Sequence, residues 1–244
     1  MDDQEVDGLL EMVRGSSSLH RRFQNLLARL EPDARRLARF GWTLPMWATP
    51  SDMLIVARTT SARSLDTYFL RMYSDPNSYQ YRSLVQTLRQ SPQLRPWRAV
   101  LREVLRAYDR RLYRVVIPTA LAVLEGALVN AVDQSKRRTD PKKLAANEHA
   151  QASPGIESLA WASIDEFAAR LYEYRAFQGR APRRLNRHWV HHGRMPPRGS
   201  RADALRLLHA LHTIACAKRP ARRSLLGLVR DPRVRELLAA NGAA

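Results

Sequence analysis

Apolar positions recur along this chain at steps of three and four, the period of a helix with one buried stripe. From Leu19 to Phe40 they fall at Leu19, Phe23, Leu26, Leu27, Leu30, Ala34, Leu37 and Ala38. Pro32 interrupts that run and predicts a break, or a second helix with proline in its first turn; Gly41 predicts its end. A connector rich in proline and aromatics follows, Gly41 to Pro50, with Ser51 and Asp52 or Thr60 and Ser61 as candidate caps. Two further helices are predicted over Ser61–Tyr73 and Tyr79–Gln90, with a connector at Ser91–Pro96. From Trp97 to about Val132 the pattern predicts one long helix kinked at Pro118. The pattern fails from Gln134 to Pro154, predicting a mobile surface loop that includes the basic residues Lys136, Arg137 and Arg138. It resumes over Ile156–Phe177, then over a short helix from Leu185 to His192. Ser200 with Asp203 three residues on is a capping signal for a helix reaching about Ala217. Short helices at Leu9–Val13 and Ser224–Ala240 complete the expectation. No strand is predicted, Leu54–Ala57 being the single weak candidate. The expected fold is all-α, in three parts: an N-terminal helical region at 1–96, a helical domain at 97–217 and a C-terminal helix at 218–244.

Composition narrows the function classes. The chain has 244 residues, 45% of them apolar, enough for a substantial core and too many for a disordered chain. Lysine and arginine total 41 against 23 acids, a net charge of +18. Such a surplus favours a polyanionic partner such as RNA. The lone cysteine, Cys216, excludes an internal disulfide and agrees with a reducing cytoplasm. No apolar run approaches the ~18 residues of a membrane span, and the acidic start lacks the order of a secretory leader. A cytoplasmic protein with no membrane partner is expected. No glycine-rich phosphate loop or Ser/His/Asp spacing is present, and no cofactor is expected. The tryptophans (Trp42, Trp47, Trp97, Trp161 and Trp189) and Cys216 read as core.

Candidate chemistry concentrates where five of the seven histidines lie, between His188 and His212. Three readings stay open. His188 with His192, or His209 with His212, are spaced to share a metal ion. The histidines are alternatively structural, around inward-packed Trp189 and Val190. Or they serve acid–base chemistry on a phosphodiester: Arg187 presents a planar fork that fits a phosphate, and His192 titrates near neutrality beside a helix end marked by Gly193. A five-residue offset is about 140° around a regular helix, so Arg187 and His192 need either an unwound helix end or a second chain to converge.

The order Arg187, polar His188, three residues, His192 resembles the motif of HEPN domains, an all-helical group rich in toxin and phage-defence ribonucleases. The surrounding Leu185–Gly193, the following Ser200–Leu208, and the upstream Tyr113–Gly126 with its Glu125–Gly126 pair are similar to the bacterial branch of that group, and Gly41–Pro45 to its lead region. The resemblance covers about 97–217 well and the first 96 residues loosely. It implies a HEPN-like helical bundle with an N-terminal helical extension. It also implies a metal-independent endoribonuclease that cuts RNA, tRNA among its candidates, through the substrate's own 2′-hydroxyl, in toxin–antitoxin or antiphage defence. Arg187 and His192 would be the catalytic pair, His188 a tuning residue and Glu125 an orienting carboxylate or ion-pair partner of Arg187. Arg194, Arg198 and Arg201, with Lys136, Arg137 and Arg138, are candidate RNA contacts. Partners implied are RNA, a second copy of the chain, and an antitoxin or other defence protein. The alternative is a catalytically silent HEPN-like subunit that binds RNA or protein.

Overall fold

The computed structural model describes residues 25, 27–47, 61–131, 140–152, 155–196 and 199–217. Among them the chain is all-α, with no strand. The helices are α1 (Glu31–Arg39), α2 (Ala62–Met72), α3 (Tyr79–Gln90), α4 (Arg98–Asp109), α5 (Tyr113–Ala131), α6 (Pro141–Gln151), α7 (Ile156–Leu171), α8 (Arg187–His191) and α9 (Arg201–Ala217), with a 3-10 helix at Pro92–Trp97. The expectations for Leu9–Val13, Ser51 and Asp52, Leu54–Ala57, Lys136, Arg137, Arg138, Arg198 and 218–244 lie outside the described residues.

α9 is the axis of the bundle. Every residue from Leu207 to Ala217 is buried, as expected of a helix covered on all sides. It packs against α5, α7, α3 and α2, while α1 and α6 cover α7 and α4 covers α5. A single buried cluster runs from Leu27 to Ala217, so residues before and after 96 share one core.

The predicted stops are built as the sequence suggests at two places. Pro32 stands in the first turn of α1. Gly41 has φ +94°, and the bonds Gly41 N to Ala38 O (2.8 Å) and Trp42 N to Leu37 O (3.3 Å) close a Schellman turn. The connector that follows is not a surface loop. Trp42, Thr43 and Leu44 are buried, and the Leu44 backbone is satisfied by side chains, its N–H donating to Ser163 Oγ (2.9 Å) and its carbonyl accepting from Thr213 Oγ1 (2.9 Å).

Three expectations are corrected. The long helix from Trp97 breaks between α4 and α5, at Arg111, rather than kinking at Pro118. Arg111 takes φ 60°, and Arg111 N to Tyr108 O and Leu112 N to Ala107 O (2.9 Å each) again form a Schellman turn. With arginine in the glycine position, no sequence signal marks it. The loop expected over 134–154 contains α6, capped by Asp140 accepting from Lys142 N (2.9 Å) with Pro141 in the first turn. Only Leu144 and Ala145 of that helix are buried, too few to set up a periodic pattern. The helix from Ile156 ends at Leu171 rather than Phe177.

Gly126 explains the contact between α5 and the 3-10 helix. A Cβ there would stand 2.3 Å from Trp97 Cζ2. Gly126→Ala should therefore destabilise by about 1–2 kcal/mol, overpacking outweighing the roughly 1 kcal/mol that alanine gains in a helix. Arg111→Gly should stabilise by about 0.5–1 kcal/mol by relieving the left-handed residue. Urea denaturation of both variants checks the pair of opposite signs.

Candidate functional site

Helix α8 has five residues, too few to stand alone in water, and its neighbours hold it. Asn186 caps it by accepting from Trp189 N (3.1 Å), and its Nδ2 donates to the Glu173 carbonyl (2.8 Å). Buried Trp189 donates from Nε1 to the Arg175 carbonyl (3.1 Å). Gly193, at φ +65°, closes the other end as the sequence predicts, with Gly193 N to Val190 O (3.1 Å) and Arg194 N to Trp189 O (2.9 Å).

Arg187 faces α5. Its Nε donates to Glu125 Oε2 (2.9 Å) and its Nη2 to Oε1 (3.0 Å), a two-pronged pair that ties α8 to α5. Both side chains remain about 30% exposed (29% and 31%). The Nη1 nitrogen has no such partner among the described residues. Tyr172 lies behind this pair. Its buried hydroxyl finds no hydrogen-bond partner among the described residues, and burial first, then the Glu125 charge, raises its pKa.

His191, four residues from Arg187, stands on the same side and approaches the Pro118 carbonyl; burial and then Arg187 hold its pKa below the ordinary value. His188 and His192 face the other way. Their rings meet at 4.6 Å, and His188 stacks on Phe177 at 4.5 Å with 2° between planes. Tyr174, 75% exposed, tilts against His188 at 5.2 Å. The His188 pKa is lowered by desolvation, then by His192 and Arg187. No hydrogen bond or ring contact joins Arg187 to His192 among the described residues. The divergence expected of a regular helix thus persists: the helix end does not unwind to close it.

Of the basic candidates, Arg194 lies over the Phe177 ring at 5.1 Å and is exposed. Arg201 points inward, towards the Tyr108 hydroxyl (3.4 Å) and the Tyr73 carbonyl (3.3 Å). Tyr172, Tyr174, Phe177 and His191 are the residues the motif reading missed. Their signal is positional: the aromatics fall just past the end of α7, where Asn186 and Trp189 draw that segment over α8.

The second histidine pair is in the core. His209 and His212 are buried, His209 among Trp42, Phe69 and Tyr73 and His212 beside His209 and Cys216. A chain of bonds closes consistently when His209 Nδ1 donates to Thr43 Oγ1 (3.0 Å), Thr43 to Thr213 Oγ1 (2.8 Å) and Thr213 to the Leu44 carbonyl (2.9 Å). Among the described residues no group of three or more His, Cys, Asp or Glu side chains is placed to hold a metal ion. Comparison with family models, curated proteins and solved structures finds no match to this chain.

Burial pushes the His212 pKa down to about 4, and burial with the His212 charge pushes that of His209 well below its ordinary value. Both stay neutral when folded, whereas the unfolded chain protonates them near 6.5. Their contribution is complete above about pH 6.5 and is lost as pH falls through about 4. Stability should decline by roughly 1.4 kcal/mol per pH unit for each histidine across that window. Denaturant titrations from pH 7 to 4.5 check this, with the slope about halved in His212→Gln; a flat profile would contradict it.

Proposed function

We propose that this protein is a metal-independent RNA endonuclease of HEPN type, working in toxin–antitoxin or antiphage defence. The observation that carries the reading is the fixed, partly exposed ion pair of Glu125 on α5 with Arg187 on α8, the helix that also bears His188 and His191 and ends at His192. In this chemistry the 2′-oxygen of the substrate attacks the neighbouring phosphorus and the 5′-oxygen leaves. A base removes the 2′-proton, an acid protonates the 5′-oxygen, and a cation balances the phosphorane. Products are a 2′,3′-cyclic phosphate and a 5′-hydroxyl. Arg187 supplies the cation through its Nη1 edge, Glu125 holds the guanidinium in plane, and His192 moves the proton with His188 against it.

Because Arg187 and His192 diverge within one chain, the site is completed by a second copy. Val115, Pro118, Ala122 and Glu125 share one side of α5, with Val115 58% exposed and Ala122 exposed as well. This apolar strip leads to the ion pair and suits a twofold contact that brings one chain's Arg187 to the other's His192.

Purified protein incubated with total tRNA in EDTA should cut it, and Arg187→Ala and His192→Ala should each lose at least about 100-fold in rate. Mixing the two inactive variants, with exchange of subunits, should restore about a quarter of wild-type activity, since half the dimers are mixed and each mixed dimer keeps one intact composite site. No recovery would place the pair in one chain. RNA binding with no cleavage by the wild type would favour the silent, binding-only reading, in which Glu125 neutralises Arg187.

A further inference from the structure

A cavity of about 400 Å³ opens between the ends of α1 and α7, the stretch from Pro182 to Asn186, and the first turns of α9. Its size is that of a small-ligand site. Its lining combines the apolar residues Phe40, Phe167, Leu171 and Leu185 with a set of arginines.

The charges of those arginines are incompletely matched. Arg39 and Arg170 share a single carboxylate, Glu166, at 3.5 and 3.0 Å. Arg175 pairs with Glu173 (2.8 Å), and Arg206 with Asp66 and Asp203. Arg184 has no carboxylate at ion-pair distance among the described residues; it donates instead to the Arg39 carbonyl at the end of α1. Arg206 keeps a buried Nε with no acceptor. Desolvation and the charges of Arg170 and Arg206 lower the Arg184 pKa, the mark of a cation crowded by like charges. An anion entering here relieves that repulsion and gains the planar donor forks that suit phosphate oxygens.

The geometry points to a binding site for a nucleoside monophosphate, its phosphate on Arg184 and Arg170 and its base against the Phe40 and Phe167 wall. The same chemistry is offered by a free nucleotide and by the 5′-phosphorylated end of an RNA. The site does not depend on the proposed cleavage reaction, because none of its arginines belongs to α8. Its occupant would brace the stretch that leads into the Asn186 cap.

The test is calorimetric titration of the full chain carrying His192→Ala, so that RNA survives and the Arg187–Glu125 anchor of α8 is kept, with AMP and adenosine. AMP should bind at least 10-fold more tightly than adenosine. Arg184→Ala should weaken AMP binding at least 10-fold; Arg184→Lys, which keeps the charge, serves if the alanine variant does not fold, and should lose several-fold because the fork is gone. Displacement of AMP by a 5′-phosphorylated oligoribonucleotide but not by its 5′-hydroxyl twin identifies the RNA end as the ligand. Failure of both to displace it identifies the free nucleotide. Equal affinity for AMP and adenosine, no binding of AMP, or unchanged affinity in the Arg184 variants would overturn the assignment, whatever the outcome of the cleavage assays.

Discussion

A helix of five residues does not persist by its own hydrogen bonds, and the candidate cleavage site in this fold is built around one. α8 stands because three anchors meet on it: the Asn186 cap reaching the Glu173 carbonyl, the Trp189 indole on the Arg175 carbonyl, and the double hydrogen bond between Arg187 and Glu125. The first two fix the helix to the stretch after α7. The third fixes it to α5, itself held at Gly126 by close contact with Trp97. The ion pair is about 30% exposed, so its value lies less in net stability, which solvent screens, than in orientation. It sets the plane of the Arg187 guanidinium.

The same interactions divide the surface of α8. One side carries Arg187, Glu125 and His191 beside α5; the other carries His188 and His192 against Phe177, Tyr174 and Arg194. Each side alone is a familiar kind of surface, an anion-holding fork and a cationic aromatic platform of the sort single-stranded nucleic acids favour. The proposed enzyme joins the first side of one subunit to the second side of another. The arginine-lined cavity gives the 173–186 stretch a second charged face.

Much of this was legible in the sequence where a residue type has one physical use. Pro32, Gly41, Gly193, Ser200 and Asp203 mark helix ends in the sequence and stand at helix ends in the structure. The order of helices followed from apolar spacing. What stayed hidden was set by tertiary context. Arg111 makes a glycine-like turn without glycine. α6 has too few buried positions to show a period. Thr43 and Leu44 read as connector, yet their polar groups are satisfied deep in the core by Ser163 and Thr213. At the candidate site, the pairing of Glu125 with Arg187 was one of two roles that the HEPN resemblance implied for Glu125, and the divergence of Arg187 and His192, about 140°, followed from helix geometry. The roles of Tyr172, Tyr174 and Phe177 were not readable, because the residues that fold them over α8 lie downstream, at Asn186 and Trp189. The buried His209–His212 pair looked like the outer histidines in sequence and differs only in what surrounds it.

In the proposed reaction the attacking oxygen belongs to the RNA, so that α8 needs only to hold charge and move protons. The decisive experiment uses an RNA that the protein cuts, resynthesised with a single 2′-deoxy sugar on the 5′ side of the cut linkage. This linkage should become resistant in EDTA while other sites are still cut, and the unmodified RNA should yield 2′,3′-cyclic phosphate ends. Continued cutting at the deoxy position, or products bearing 5′-phosphates, would contradict that reaction.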